Sequence, residues 1–306
     1  MDRRAFLQWQ MKGLVALAAG SSLLSLPGRA LGTQITDIGV ATGLPGPATR
    51  AAVGLLGGMG RFVKAGQKVV IKPNMSFGRG PESATNTHPE VVRELVILCL
   101  EAGASRIRVL DHSLHDPELA LDRSGIRAAC DGVAPGICRH LMNPSFYQEA
   151  DIAGGVQMRA NAFMRDALGA DVIIAAPVAK SHGGAGVSLS LKGQMGLILD
   201  RGSMHSRYDL ASSIVDLNMR IKPDLAVIDA SRVLTSGGPG GPGKVITPGE
   251  IIASADPVAA DALAVASYEW SGQNVQPRQV PHIRLAHERG LGRMDIENLV
   301  TARVAA

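Results

Sequence analysis

Aromatic side chains are scarce in this 306-residue chain, where Phe, Tyr and Trp together make up 3% of the residues. Proteins that bind single-stranded nucleic acid stack bases on such rings, so the composition argues against nucleic acid as a partner. The charge agrees, because residues 1–32 carry three of the four formal positive charges. The rest of the chain is nearly neutral, and we expect no basic surface for nucleic acid on it.

Cysteine is also rare, and Cys99, Cys130 and Cys138 are the only three. That number excludes an iron–sulfur cluster held by four cysteines of this chain. Cys99 lies in an apolar helical pattern, which predicts a core residue. Cys130 and Cys138 are close enough in sequence for a disulfide in an oxidising compartment, but spacing alone does not fix the geometry of the pair.

Long apolar runs are lacking as well. The uncharged run at 13–26 has fourteen residues, too few for a helix to span the ~30 Å core of a bilayer. It follows the pair Arg3-Arg4 and precedes a small-x-small sequence at 30–32, an order typical of a twin-arginine (Tat) signal peptide. We therefore expect residues 1–32 to direct export through the Tat translocase. The mature protein would be periplasmic or otherwise extracytoplasmic and would not span a membrane.

Short runs rich in Val and Ile alternate with helical patterns along the rest of the chain. This alternation predicts an α/β fold, a mostly parallel sheet with helices on both faces in three Rossmann-like layers, as a single domain over residues 33–306. The strands are predicted at 35–41, 68–71, 106–110, 138–142, 172–176, 225–228 and 251–254. The helices are predicted at 48–56, 87–102, 118–121, 126–130, 160–168, 208–221 and 256–268.

The segment from Asp171 to Gly196 joins a buried strand to a polar, glycine-rich loop. Pro177 ends the strand, and five polar side chains follow: Lys180, His182, Ser188, Ser190 and Lys192. A loop at the carboxyl end of a buried strand is where open α/β sheets bind ligands. The same residues would be ordinary surface groups if the loop were simply solvated, and the loop sequence alone does not decide between the two.

Polar residues follow three other predicted strands in the same way, namely Lys72 and Asn74, Asp111 and His112, and Asp229. Parallel strands bring such ends to one edge of a sheet. We therefore expect a common crevice with cations for an anionic ligand, carboxylates and imidazoles, although turns also favour Asp and Asn.

Two kinds of chemistry fit these side chains. Imidazole and carboxylate groups suit zinc, iron or manganese, and the candidate ligands of such a divalent metal are Asp111, His182, His205 and Asp229. Their spacing matches no compact metal motif, so only the fold could assemble this site. Lysines instead suit a carboxylate or phosphate, and a buried lysine is suited to proton transfer or Schiff-base formation.

From this chemistry we expect Lys180, His182 and Lys192 to be catalytic. The residues expected to bind the ligand are Lys72, Asn74, Ser188 and Ser190. A serine nucleophile is not expected, because the chain has no G-x-S-x-G elbow. Other polar residues have structural interpretations: Thr87 and Glu90 fit a capping box, His88 fits a first helical turn, and Asp256 fits a helix N-cap.

The glycine-rich run at 236–244 does not match a phosphate-binding loop, because its order differs from GxxxxGK[ST] and its prolines remove amide donors. It is predicted either as a mobile loop that covers the crevice or as a plain surface loop.

Several motifs in a specific order resemble one family. They are K-P-N at 72–74, T-H-P-E-V-V at 87–92, K-S-H at 180–182, S-L-S-L-K-G-Q-M-G at 188–196, His205, D-L-N at 216–218, A-V-I-D at 226–229 and S-A-D-P-V-A-A-D at 254–261. This pattern is similar to domain of unknown function 362. Some members of that family are fused to ferredoxin-like modules, so the resemblance implies cofactor or redox work and a redox partner protein. The family implies no established reaction.

Together these features predict an exported enzyme that depends on a cofactor or metal and acts on an anionic small molecule in a crevice lined by Lys, His and Asp. Tat substrates as a class are exported folded, often with a cofactor inserted, which favours this prediction. The alternative is a periplasmic protein that binds a ligand, or helps to mature a cofactor, without catalysis.

Overall fold

Buried runs of Val, Ile and Ala form the central strands in the computed structural model, which describes residues 36–306. The predicted signal peptide lies outside these residues. In chain order the strands are β1 (Ile38–Thr42), β2 (Lys68–Pro73), β3 (Arg106–Asp111), β4 (Cys138–His140), β5 (Tyr147–Asp151), β6 (Ala160–Met164), β7 (Val172–Ala176), β8 (Val178–His182), β9 (Gly186–Ser188), β10 (Leu225–Leu234), β11 (Val245–Ile246), β12 (Glu250–Ser254), β13 (Glu269–Trp270), β14 (Gln273–Asn274) and β15 (Thr301–Ala305).

The large sheet has the strand order β15-β1-β12-β10-β7-β2-β3-β4. Neighbours along this order pair in parallel, except that β12 runs antiparallel to both β1 and β10. β8 and β11 pair with β10 as well, and β9 forms a hairpin with β8. The predicted mostly parallel α/β sheet is therefore confirmed.

Helices cover both faces of this sheet. They are α1 (Pro45–Leu55), α2 (Pro89–Glu101), α3 (Pro117–Ser124), α4 (Ile126–Asp131), α5 (Arg165–Leu168), α6 (Ser190–Gly193), α7 (Gly202–Ser206), α8 (Leu210–Arg220), α9 (Pro257–Ser267) and α10 (Pro281–Glu288). None of the helices within residues 36–306 is long and apolar enough to cross a membrane.

Two cores separate these helices from the sheet. Side chains of a strand alternate between its faces, so Val69 joins the core beneath α1, α2 and α4, while Val70 joins the core beneath α8, α9 and α10. A strand that is buried on both faces reads as a continuous apolar run. This is why the run at 172–176 was recognisable as a central strand.

Several predicted boundaries are wrong. The segment at 160–168 is helical only in α5, because β6 precedes it with Asn161 and Phe163 buried at alternate positions. The helix predicted to begin at Tyr208 begins at Leu210, since the Asp209 side chain accepts a hydrogen bond from the backbone N–H of Ser212 at 2.8 Å.

The start of α2 also differs from the prediction. His88 is its N-cap and accepts a hydrogen bond from Glu90 N at 3.2 Å, so the structural interpretation of His88 is confirmed. The predicted capping box of Thr87 is wrong, because the Thr87 hydroxyl donates to Ala176 O at 2.7 Å. Asp256 caps α9 as predicted, with bonds from the N–H groups of Val258 and Ala259.

The three cysteines are buried in this structure and are free thiols. Cys99 lies in the core beneath α2, as predicted. Cys130 on α4 and Cys138 on β4 lie in the same core, but no disulfide joins them.

Candidate functional site

A cavity of about 400 Å³ opens at the carboxyl edge of the sheet, where β2, β3 and β8 end in polar residues. Eight of the side chains singled out in the sequence line it: Lys72, Asn74, Asp111, Lys180, His182, Ser188, Lys192 and His205. Strands that are distant in sequence thus bring these groups together, as the parallel topology requires. Ser190 and Asp229 do not line the cavity.

Lys72 and Asp111 form a buried ion pair in the wall of the cavity. The distance from Lys72 Nζ to Asp111 Oδ1 is 3.2 Å, and each side chain is only 2% exposed. Asp111 Oδ2 also accepts bonds from Met75 N at 3.0 Å and Ser76 Oγ at 2.7 Å. Burial alone would raise the pKa of Asp111, but the charges of Lys72 and His140 and these hydrogen bonds outweigh it and lower the pKa. Asp111 is therefore a charged carboxylate whose oxygens are already occupied.

Lys180 is equally buried, but no carboxylate of the part of the chain that the structure describes is in contact with it. Its Nζ donates to the backbone oxygen of Thr85 at 2.6 Å and lies 4.8 Å from the centre of the Phe77 ring. Burial is the main reason that its pKa falls to about 7; the charge of Asp111 opposes this fall, and the charges of Lys72 and Lys192 add to it. Near neutral pH the amine therefore exists in both protonation states.

Lys192 projects into the cavity from the short helix α6. The carboxylate of Asp261 fixes the start of this helix by accepting bonds from Ser190 N at 2.8 Å and Leu191 N at 3.0 Å. Burial lowers the pKa of Lys192 to about 8, and the positive charges of Arg201 and Lys72 add to the effect. Within residues 36–306 Lys192 has no ion pair with a carboxylate.

Arg201 brings a further cation to the cavity wall. Its guanidinium donates to the backbone oxygens of His112 at 2.9 Å and Ser113 at 3.1 Å, so it is held in place without a carboxylate. The cavity thus contains Lys180, Lys192 and Arg201 as cations in excess of the Lys72–Asp111 pair.

His182 lines the cavity and carries a hydrogen-bond donor. Its Nδ1 accepts bonds from Gly184 N and Ala185 N, each at 3.1 Å, so the ring proton is on Nε2. Burial and the nearby charge of Lys192 lower the pKa of His182 to about 3, which keeps the ring neutral. The ring of His205 stacks on it with 5.8 Å between ring centres and 8° between planes.

A family model described as a domain of unknown function, DUF362, matches residues 69–266. The chain belongs to the DUF362 family.

A curated relative of this DUF362 protein is the thylakoid-associated protein sll1697 of Synechocystis sp., with 26% identity over 217 residues. The match covers 67% of this chain and 64% of the relative, so the chain spans less than two thirds of that protein.

Two solved structures are also similar. The lactate racemase apoprotein from Thermoanaerobacterium thermosaccharolyticum shares 12% identity at a TM-score of 0.45, over 74% of this chain and 56% of that one. A protein from Thermotoga maritima shares 14% identity at a TM-score of 0.35, over 61% of this chain and 51% of that one.

Three of the four predicted metal ligands, Asp111, His182 and His205, line the cavity, and Asp229 does not. No group of three or more His, Cys, Asp or Glu side chains in the described part of the chain is arranged to hold a metal ion. His182 and His205 do meet, but Nδ1 of His182 is occupied and its Nε2 carries the proton, so neither nitrogen offers a lone pair. The oxygens of Asp111 are used by its own neighbours.

The fourth predicted metal ligand, Asp229, lies outside the cavity because β10 does not end there. All ten residues of β10 are buried, and the strand continues to Leu234. The Asp229 carboxylate pairs with Arg232 at 2.8 Å and accepts a bond from His88 N at 2.7 Å. It therefore joins β10 to the start of α2.

The predicted ligand-binding residues fall into two groups. Asn74 and Ser188 line the cavity, and the Oδ1 of Asn74 also accepts a bond from Val178 N at 3.1 Å, which joins the end of β2 to β8. Ser190 starts α6 and is fully buried, and its hydroxyl has no partner in residues 36–306. Its predicted contact with a ligand is therefore not supported by its position.

Among the cavity residues that the sequence analysis did not single out are Phe77, Arg201 and Gly196. A Cβ atom at Gly196 would overlap both Asp111 and Lys72, so only glycine lets the backbone pass this ion pair. The glycine in the K-G-Q-M-G motif was the available signal. Arg201 carried no local signal, because it reaches the cavity through contacts with residues far away in sequence.

The glycine-rich run packs against the β8–β9 hairpin. Gly238 N donates to the hydroxyl of Ser181 at 3.0 Å, and Pro239 contributes to the cavity wall. This placement fits a loop that covers the crevice better than a plain surface loop.

Proposed function

We propose that this DUF362 protein is an enzyme that acts on an anionic small molecule bound in the cavity. The observation that carries the proposal is the excess of cations there: Lys180, Lys192 and Arg201 face one carboxylate, and that carboxylate is already paired with Lys72. Buried charges of one sign are costly unless a partner neutralises them. A bound anion is the partner that these three residues lack.

The size of the cavity supports a small substrate. Its volume of about 400 Å³ lies at the lower end of typical small-molecule sites. Lys192 and Arg201 suit a carboxylate or phosphate, and Ser188 and Asn74 add neutral polar groups beside them.

Two groups are suited to the chemical step. A base is most effective when its pKa lies near the working pH, and the pKa of Lys180 near 7 meets that condition. Neutral His182 presents its Nε2–H as a donor, which suits an oxygen that gains negative charge during reaction. We infer that the neutral amine of Lys180 carries out the chemical step while His182 stabilises the oxygen.

The proposal includes export through the Tat translocase to the periplasm or another extracytoplasmic compartment. Support comes from the sequence of residues 1–32, with paired arginines, a short apolar run and a small-x-small site. Replacement of Arg3 and Arg4 by lysine should leave the full-length protein in the cytoplasmic fraction. Normal export of that variant would contradict this part of the proposal.

The alternative, a binding or maturation protein without catalysis, is separated from an enzyme by turnover. Small carboxylates and phosphates are screened by thermal shift, and compounds that bind are then followed by NMR for conversion. Lys180→Met should abolish turnover but retain binding through Lys192 and Arg201. His182→Asn preserves an acceptor for the hairpin amides but removes the Nε2 donor, so it should also slow turnover.

Lys222→Met is the matched control, since Lys222 is exposed and lies away from the cavity. Binding without conversion in the wild type would support the alternative. Equal turnover in the wild type and Lys180→Met would exclude the role assigned to Lys180.

A further inference from the structure

The three lysines of the cavity lie in three different environments. Lys72 is paired with Asp111; burial lowers its pKa, and the charge of Asp111 and its hydrogen bond oppose that fall by favouring the ammonium form. Lys192 lies beside Arg201 and has no acid partner within residues 36–306, which suits an anchor for an anion. Lys180 contacts a carbonyl oxygen and the face of Phe77, and no carboxylate of the described residues forms an ion pair with it.

Lys180 is therefore the amine best placed to act as a nucleophile. A nucleophilic lysine must lose its proton, and burial near other cations favours that loss. The fall of its pKa to about 7 agrees with this position. Lys72 is just as buried and burial lowers its pKa as well, but its amine differs from that of Lys180 because it is paired with an acid.

His182 lies two residues after Lys180 on β8, and side chains two apart on a strand share a face. Both side chains line the cavity, and Ser188 pairs with Lys180 across the hairpin. A carbonyl carbon that reaches Lys180 can thus place its oxygen near the Nε2–H of His182.

We propose that Lys180 forms a Schiff base with an oxo acid, a small aldehyde or ketone whose carboxylate or phosphate is held by Lys192 and Arg201. The inference rests on the proposed function and names the class of substrate for the same site. It requires an anion and a carbonyl in one molecule, which matches the two kinds of group that the cavity presents.

The covalent step balances without an oxidant or reductant. The neutral Lys180 amine adds to the carbonyl carbon, and the nitrogen proton passes to the oxygen to give a carbinolamine. The C–O bond then breaks, and the oxygen leaves as water with the remaining nitrogen proton. The product is a C=N bond to Nζ, which takes up one proton from solvent when it becomes the iminium ion.

Borohydride trapping tests this inference on the full-length protein. The protein is mixed with pyruvate or with dihydroxyacetone phosphate and reduced, and the modified residue is then mapped by peptide mass spectrometry. These two probes distinguish a carboxylate from a phosphate as the anionic group. Acetone, which has the carbonyl but no charge, is the matched control compound.

We expect a stoichiometric adduct on Lys180 with at least one of the two anionic probes, and far less with acetone. Lys180→Met should remove the adduct, and Lys222→Met should retain it. Lys192→Met should raise the concentration of probe needed for half-maximal trapping by about tenfold or more, because one charged contact is lost.

No adduct with either probe, or an adduct on another lysine, would overturn the Schiff base. Glycolate and glycerol 3-phosphate, which are anions without a carbonyl, separate this failure from failure of the proposed function. If glycolate or glycerol 3-phosphate competes with the probes for binding while no adduct forms, the proposal of an anionic substrate is retained and the Schiff base is rejected. If neither these anions nor the probes bind, both proposals are rejected.

Discussion

Lys72 and Asp111 face each other across 3.2 Å at the ends of neighbouring parallel strands, and both side chains are buried. Asp111 is the one carboxylate among the described residues that line the cavity, and it is paired with Lys72. Lys180, Lys192 and Arg201 therefore have no carboxylate partner there. The pairing therefore determines both the stability of the cavity wall and the sign of the charge that the cavity offers to a ligand.

The first prediction concerns the stability of this pair. Asp111→Asn should lower the free energy of unfolding by about 3–5 kcal/mol, because it leaves the Lys72 ammonium buried without a counter-charge. Urea denaturation measures the change. Adding Lys72→Met should recover part of the loss, since it removes the buried charge.

Glu288→Gln is the control for this prediction, because it breaks the exposed Arg284–Glu288 pair and should cost no more than about 1 kcal/mol. If Asp111→Asn is as mild as Glu288→Gln, the Lys72–Asp111 pair is not the buried interaction described above.

The second prediction concerns the pH dependence of anion binding. The cavity binds anions best when Lys180 and Lys192 carry protons, and these protons are lost as the pH rises through about 7 and about 8. Affinity for glycolate, whose carboxylate stays ionised above about pH 5, should therefore fall as the pH rises from about 6 to about 9. Each lost proton should contribute up to about tenfold per pH unit above its pKa.

Calorimetric titration across this range measures the effect. Lys192→Met should remove the part of the dependence centred near pH 8. Affinity that is constant over the whole range would contradict the assignment of the two lysines to the anion.

The third prediction concerns the tautomer of His182. Nitrogen NMR should show the Nε2–H form, because Nδ1 accepts two backbone N–H bonds. The ring should not titrate between about pH 5 and pH 8, since its pKa lies near 3. A titration midpoint near the ordinary histidine value of about 6.5 would show that the hairpin does not hold the ring in this way.

The fourth prediction concerns Gly196. Gly196→Ala should destabilise the protein by about 1–3 kcal/mol and weaken anion binding, because the new Cβ overlaps Lys72 and Asp111. Gly54→Ala is the control, since a Cβ there would meet nothing within 4 Å and Gly54 does not line the cavity. Thermal unfolding and glycolate titration compare the two variants, and equal behaviour would refute the close approach at Gly196.

The sheet and much of the site were predictable because their signals are local. The run at 172–176 is apolar at every position, and Lys72 and Asp111 are polar residues at the ends of such runs. Parallel topology then brings the ends together, whatever lies between them in sequence.

The remaining errors come from long-range contacts. A strand can end or continue at a polar residue such as Asp229. β10 continues past it because Arg232 and the backbone N–H of His88 pair with the buried carboxylate. Arg201 enters the cavity through backbone oxygens that lie nearly ninety residues earlier in the chain. No local sequence pattern indicates either of these two arrangements.

Calorimetric titration of the full-length protein with glycolate near pH 6.5, where Lys192 carries its proton, shows whether the cavity holds an anion. We predict saturable binding at one site per chain, with affinity reduced about tenfold or more in Lys192→Met and unchanged in Lys222→Met. Absence of saturable binding, or equal affinity in Lys192→Met and the wild type, would contradict the claim that this cavity is built for an anion.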